Sequence, residues 1–450
     1  MQSQSSAVRR SRQCPAATLR RVPRRATYAA ACSTIALSLA VAACGQGGSS
    51  DLGQSPAIGR KGDQPKAAQQ LGFPQFATKN TTRVGGADPT ADAAAVAQAV
   101  FTPQLSSARP RAVTLVDSGD WQSGVAASVL MSRPLRAPTL LTGSDSLPDA
   151  TQNALNALAP TGARRIGGAS VVRVGSVPAP SGLRSTQVSG TNPFAIAAGV
   201  DRLSARAAGK PSDVVVVTSG ERAEFAMPAA AWAAKSGDPV LFVTRNTIPP
   251  ETRKALAFHQ QPKIYLLGPP DVLSAGVEKL LRRLGTVKRI SGPDPVTNAI
   301  AFARYSDGAF GWNVVDPGHG LVFANDQRPL DAAAGAPLSA SGKYGPLLLV
   351  EHPSPLPPAL IQYLLDIEPG YEKDPTRGVY NHGWLLGDAG ALSVGDQARI
   401  DTLLEIAPVS TAPQQTTTPA KPPATPKGNK KTGTSTTPSR TTTTTTTRKP

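Results

Sequence analysis

Few residues in this chain of 450 combine the type and the spacing that covalent chemistry needs. Its three cysteines, Cys14, Cys32 and Cys44, all lie in the first 44 residues. Thiolate metal sites, disulfides and cysteine nucleophiles are therefore excluded from everything that follows. The four histidines, His259, His319, His352 and His382, stand in unrelated contexts, and no His-x-x-x-His pair exists. There is no Gly-x-Ser-x-Gly elbow, and Gly342-Lys343 lacks the first glycine and the hydroxyl of a phosphate loop. Asp145 and Asp149 read as loop and helix-capping acids, and Glu221 and Glu351 stand without the paired aspartates that a Toprim-type catalytic site needs. The expectation is a protein without catalytic activity, metal or cofactor. What remains is anion recognition. Arg222 and Arg328 stand just beyond apolar runs, in Ser219-Gly-Glu-Arg222 and Asn325-Asp-Gln-Arg328, with Trp121 at the corresponding place in Ser118-Gly-Asp-Trp121. An arginine there can pair with phosphate or carboxylate. Gly167-Gly168 and Gly268 would let a polymer approach backbone amides or would make tight turns.

The elements that position these residues recur three times. A leading block appears as Arg83-Val-Gly-Gly-Ala-Asp-Pro89, Gln187-Val-Ser-Gly-Thr-Asn-Pro193 and Arg289-Ile-Ser-Gly-Pro-Asp-Pro295. Each precedes an Ala-rich helical pattern, such as 91–101 with Val96, Val100 and Phe101 on one face. A second block is an apolar run ending in a polar turn, at 112–117, 214–218 and 321–324, followed by a small-residue helix. A third is a proline-led strand, Ala137-Pro-Thr-Leu-Leu-Thr142, Asp238-Pro-Val-Leu-Phe-Val243 and Gly345-Pro-Leu-Leu-Leu-Val350, where proline need not donate a ladder bond. Helices led by prolines follow, at Pro148, Pro249-Pro250 and Pro357-Pro358. A fourth is a strand ending in glycine: Arg165-Ile-Gly167-Gly168, Tyr265-Leu-Leu-Gly268 and Trp384-Leu-Leu-Gly387, the last set back by an insertion at 368–380. Strands apolar throughout and alternating with helices predict parallel sheets covered on both faces. The expected fold is α/β, three tandem Rossmann-like or Toprim-like parallel-sheet domains in a pseudo-threefold arrangement, with disordered termini.

The net charge of +17 does not sit on this body. Residues 1–43 hold seven arginines and no acid, residues 409–450 hold seven basic residues and no acid, and only +3 remains between. A nucleic-acid partner is therefore not expected. The arginines end at Arg25, the uncharged run Ala26–Ala43 follows, and Val41-Ala42-Ala43 precede Cys44. A basic region, an apolar region and small residues before a cut make an export signal, and small residues before a cysteine resemble the bacterial lipobox, in which that cysteine is acylated. The sequence thus predicts a signal peptide at 1–43, lipidation of Cys44, a flexible linker at 44–80, repeats at 81–186, 187–288 and 289–408, and a disordered Thr/Pro/Lys-rich tail at 409–450.

Taken in order, the Arg-x-x-Gly-x-Asp block, the Ser-Gly turn, the Pro-Ile-Leu-Leu-like strand and the Ile-Gly-Gly strand end resemble the cell-wall-binding repeat 2 modules of Gram-positive surface proteins. The resemblance covers about 83–407. It implies three consecutive α/β modules that form one trimer-like body and attach noncovalently to an anionic cell-wall polymer or glycan. The matching strand positions are Pro138, Thr139, Leu140 and Leu141, then Pro239, Val240, Leu241 and Phe242, then Pro346, Leu347, Leu348 and Leu349. Physical chemistry reads their side chains as sheet core, which leaves the strand ends and adjoining loops to meet a ligand. Where the family carries Phe-x-Asp-Ala-Leu, this chain has Gln122-Ser-Gly124, Phe225-Ala-Met227 and Leu330-Asp331-Ala332. The expected function is that of a noncatalytic envelope lipoprotein outside the cytoplasmic membrane, anchored to it by the N-terminal lipid and bound to the wall. A solute-binding lipoprotein of a transport system and an envelope hydrolase are the alternatives.

Overall fold

The computed structural model describes residues 75–409 apart from 103–104 and 342–343. The expected signal segment, Cys44, most of the linker and the tail beyond Val409 lie outside the described residues. In the first third, β1 (Gln75–Ala77) and β2 (Thr81–Val84) lead to α1 (Pro89–Val100), β3 (Val113–Asp117), α2 (Trp121–Ala127), β4 (Thr139–Thr142), α3 (Asp149–Leu158), β5 (Val171–Val174) and β6 (Ser185–Val188). The second third runs α4 (Pro193–Ala208), β7 (Val214–Ser219), α5 (Ala223–Ser236), β8 (Val240–Val243), α6 (Pro250–Phe258), β9 (Lys263–Leu267), α7 (Ala275–Leu281) and β10 (Thr286–Ile290). The last runs α8 (Pro295–Arg304), β11 (Gly320–Asn325), α9 (Asp331–Ser339), β12 (Tyr344–Val350), α10 (Pro358–Asp366), β13 (Gly370–Tyr371), β14 (His382–Leu386), α11 (Val394–Leu403) and β15 (Ala407–Pro408). Among the described residues no helix is long and apolar enough to cross a membrane.

The molecule is mixed α/β with parallel sheets. Strand order is β4-β3-β5-β6 in the first sheet, β8-β7-β9-β10 in the second and β12-β11-β14-β2-β1 in the third. All pairings are parallel except β1 with β2. The strand that opens each leading block therefore completes the sheet before it, and the expected repeat boundaries fall inside β6 and β10. The first such strand, β2, has no preceding sheet among the described residues. It pairs with β14 instead, Gly383 to Thr81 through Leu386 to Val84, so a strand near residue 80 finishes a sheet built from residues 320–386.

The Asp or Asn, the glycine and the leading residue of the leading block each have an architectural task. Its Asp or Asn is an N-cap: Asp88 accepts from the amides of Thr90 and Ala91, Asn192 from Ala195 and Asp294 from Thr297, and the proline that follows occupies the first helical turn. Its glycine allows close approach. A Cβ on Gly190 would lie 2.7 Å from the Ile196 amide nitrogen, and one on Gly292 would overlap the backbone of Thr297 and Asn298. Its leading residue reaches to the glycine that ends the neighbouring strand. Arg83 donates to the Gly387 carbonyl (3.0 Å), Gln187 to that of Gly175 (2.9 Å) and Arg289 to that of Gly268 (2.6 Å). Those three glycines have φ of +84°, +81° and +136°, where a side chain would be strained. Arg83 also donates to Gln397 Oε1 and to the carbonyls of Asp388 and Leu392. Burial lowers its guanidinium to about 10, so it stays cationic at neutral pH.

The fourth block needs one correction. Residues 164–166 form a 3-10 turn, and Gly167 and Gly168 follow it at positive φ. The strand matching β9 and β14 in the first sheet is β5, and its terminal glycine is Gly175. Ile-Gly-Gly imitates a strand end, but the amides of Gly167 and Gly168 bond back to the carbonyls of Arg164 and Ala163 in a tight turn. The insertion at 368–380 builds β13, which pairs in parallel with β15.

The sheets pack on a shared centre of small-residue helices, in which α9 contacts α1, α5 and α2. Alanines dominate the buried faces of α5 (Ala226, Ala229–Ala231, Ala233) and α9 (Ala332–Ala334, Ala336), which lets the backbones approach closely. Gly124 in α2 sits where a Cβ would lie 2.9 Å from Leu330 Cδ2, at the entrance to α9.

Replacing Gly292 by Ala is expected to destabilise the protein by about 1–3 kcal/mol, because a β-carbon displaces helix backbone rather than a flexible side chain. Arg83→Ala is expected to cost on the order of 3 kcal/mol, since it strands buried carbonyl acceptors and removes charged donors. Chemical denaturation checks both. A loss below about 0.5 kcal/mol, the usual range for an uninvolved surface position, would refute the structural role of the residue replaced.

Candidate functional site

Open parallel sheets present ligand-binding loops at the carboxyl ends of their strands. Here three turns, 118–121 after β3, 219–222 after β7 and 325–328 after β11, lie at such ends, and each meets a neighbouring segment with different chemistry. Between the first and second sheets the contact is aromatic and amide. The Trp121 ring meets Phe242 edge-on at 5.8 Å, and Gln122 Nε2 donates to the Gly220 carbonyl at 3.2 Å. Near the turn after β11 the surroundings are acidic: burial, with Glu351 and Glu224 nearby, pushes the Asp326 carboxyl above its usual range, against the Gln327 hydrogen bond and His352.

Where the third sheet meets the first, an arginine and two acids come together. Arg328 Nε donates to Asp331 Oδ2 (2.7 Å), Nη1 to the Ala87 carbonyl (3.0 Å) and Nη2 to Asp92 Oδ2. Both carboxylates are fully buried in the first turns of α1 and α9. Asp92 Oδ1 also accepts the Gly86 amide at 2.5 Å. Burial first, then the Asp331 charge, pushes the Asp92 carboxyl up to about 9, against the opposing pull of the Gly86 amide and Arg328. Burial pushes the Asp331 carboxyl up as well, against the pull of Arg328, and Asp92 holds a proton at neutral pH beside that guanidinium. The chemistry available is a buried, neutralised clasp. Arg328, expected as an anion-pairing residue, is occupied by protein acids and only 16% exposed. Asp331 was noted in sequence as the one retained Asp-Ala, but Asp92 was not singled out. The signal lay in the repeat: Asn298 stands six residues after Gly292 as Asp92 stands six after Gly86, and it accepts the Gly292 amide in the same way.

The other expected residues are placed as follows. Thr139, Leu140, Leu141, Val240, Leu241, Phe242, Leu347, Leu348 and Leu349 are all buried in the sheets. The carbonyls of Pro138 and Pro239 accept from Thr114 and Val216, and Pro346 lies inside β12. An external ligand therefore cannot touch the apolar side chains of these strands. Gly268 offers no free amide, since its N–H bonds the Ile290 carbonyl. Arg222 is the accessible member of the set: its side chain is 55% exposed, pairs with Glu224 at 2.6 Å and lies over the Phe225 ring. Among the described residues no group of three or more histidine, cysteine or acidic side chains is placed to hold a metal ion.

Comparison with known proteins bears directly on the second of these sheets. The family model of the cell wall binding domain 2 matches residues 187–278. This segment is similar to the cell wall binding domain 2. No curated protein matches the chain. Among solved structures, Cwp6 from Clostridium difficile aligns with a TM-score of 0.57 at 17% identity, over 72% of this chain and 48% of that one. Cwp8 from Clostridium difficile aligns with a TM-score of 0.53 at 20% identity, over 73% of this chain and 53% of that one. The chain spans about half the length of each, and at these identities the likeness is one of fold.

The matched segment begins within β6, at the Gln187 that holds the Gly175 carbonyl of the first sheet, and ends in α7, before the β10 strand that completes its own sheet. Its boundaries in sequence thus cut across two sheets, as the repeat boundaries do.

A carboxyl whose folded value is raised adds stability at low pH and loses that contribution as pH rises toward the folded value. Asp92→Asn keeps an acceptor for the Gly86 amide and a donor toward Asp331 while removing this titration. Relative to the unchanged protein, Asp92→Asn should therefore gain stability steadily between about pH 4 and pH 9. Thermal melts at pH 5 and pH 8 check it, and a difference that does not grow with pH would refute the proton held on Asp92.

Proposed function

We propose that this chain is a noncatalytic cell-envelope protein whose body holds an anionic or glycan cell-wall polymer. The observation that carries this reading is the match of residues 187–278 to the cell wall binding domain 2. The common strand order of the three sheets supports extending it to a pseudo-threefold body of three such modules. Arg222, exposed beyond the end of β7 within the matched segment, is the residue we assign to polymer contact there. The strand-end motifs of β4, β8 and β12 shape the loops above them rather than touching polymer. We further infer that Cys44 carries the lipid that ties the chain to the outer face of the cytoplasmic membrane, with the linker spanning toward the wall and the basic tail lying along polyanion.

Sedimentation of the full chain with purified cell walls tests this reading. Retention is expected on intact walls and its loss after acid extraction of secondary polymers. No retention, or equal retention after extraction, would overturn it. Removing 409–450 should weaken mainly the salt-sensitive part of binding, because exposed charges are screened within about 10 Å at 0.1 M salt.

A further inference from the structure

We propose that a cleft at the amino-terminal ends of β3 and β4 is a separate binding site for an anionic glycan, recognised through its phosphate or carboxylate groups. The cleft has a volume of about 550 Å³ and is lined by Arg109, Arg111, Arg133 and Arg136, with Val100 and Pro134 as its accessible apolar walls. No acid lines it. The four arginines are exposed, and among the described residues none of their side chains has a hydrogen bond or an ion pair; Arg136 lies over the Phe101 ring at 5.5 Å. Four like charges gathered without counter-charge repel one another, and a bound polyanion relieves that repulsion. Guanidinium forks bind phosphate and carboxylate oxygens in pairs, and an apolar wall beside them suits the less polar face of a sugar ring.

The fold does not require these arginines. Counted from the aligned turn and proline, the second sheet has Lys210, Ser212, Ala234 and Gly237 at these positions, and the third has Asp316, Gly318, Ser341 and Tyr344. Lys210 lies within 3.8 Å of Asp213. The cluster is thus peculiar to the first sheet, lies outside the segment matched to the cell wall binding domain 2, and sits at the opposite strand ends from the turns that meet neighbouring sheets. That its ligand comes from the wall rests on the proposed function; that it takes an anionic glycan does not.

Calorimetric titration of the full chain tests the site with three defined probes: a six-unit glycerol phosphate oligomer, a six-unit oligogalacturonate and neutral maltohexaose. Binding of the oligogalacturonate and not of maltohexaose is expected, and binding of the glycerol phosphate oligomer alone would overturn the assignment to glycan. R133Q/R136Q and R109Q/R111Q should each weaken binding by about tenfold or more, as loss of charge-assisted hydrogen bonds does. R164Q/R165Q, which removes two exposed arginines from a neighbouring turn, should change it less than about twofold. Equal losses in all three variants, no loss in either cleft variant, or no binding of either anionic oligomer would overturn the site. A thymidine oligonucleotide of equal charge binding as tightly would overturn its assignment to glycan. Wild-type chain that binds an oligomer through this cleft but is not retained on walls would sink the proposed function and leave the site standing. Retention on walls with unaltered oligomer binding by both cleft variants would do the reverse.

Discussion

A polar side chain at the head of each aligned segment donates to the carbonyl of a glycine that ends a neighbouring strand, and much of the architecture follows from that bond. Arg83, Gln187 and Arg289 each make it. The glycines leave their strands at positive φ, which turns the chain toward the next loop and points the carbonyl where a strand on the far side can meet it. The donor must therefore come from a fourth strand alongside, and that strand in turn sets where the following helix begins. Glycine contact, N-cap and first-turn proline then follow within seven residues. In the third sheet the donor comes from the other end of the described chain. Arg83 with its four acceptors, and Asn80 bound to Asp401 through backbone and side chain, hold that closure.

Within this common frame the turns at the strand ends have diverged. One contact is an aromatic edge, while the turn after β11 holds both an acidic region and a half-buried arginine between two buried carboxyls. The last is energetically exacting. Removing one member of a buried charged group typically costs 3–5 kcal/mol because the others lose their compensation, whereas the intact group adds little net stability. It fixes the relation of α1 to α9, two helices brought within reach by alanine and glycine at the centre. Equivalent positions thus do unequal work, and only some of them remain available to a ligand.

How much of this could be read beforehand differs from block to block. The proline-led strands were identifiable because an apolar run with proline at its head has few other homes, and their burial follows from having helices on both faces. The second block was equally clear, since a polar turn between an apolar strand and an alanine-rich helix is marked locally. Ile166-Gly167-Gly168 misled because glycine after an apolar residue ends a strand and closes a 3-10 turn alike; only the ladder from Val171 to Val174 separates the two. Asp92 and Arg328 lie 236 residues apart, and nothing local marks either as the other's partner.

The sequence by itself determined the α/β class, the recurrence of four blocks, the near-neutral body between basic ends and the helix starts, because each depends on residues a few positions apart. The tertiary structure decided which sheet each leading strand joins, that residue 83 serves a loop at 387, that Arg328 is sealed against two acids while Arg222 is not, and that four arginines from two loops share one cleft. These depend on how distant segments meet. A strand's edge accepts any partner of suitable register, and burial and neighbouring charge exist only once the chain has closed.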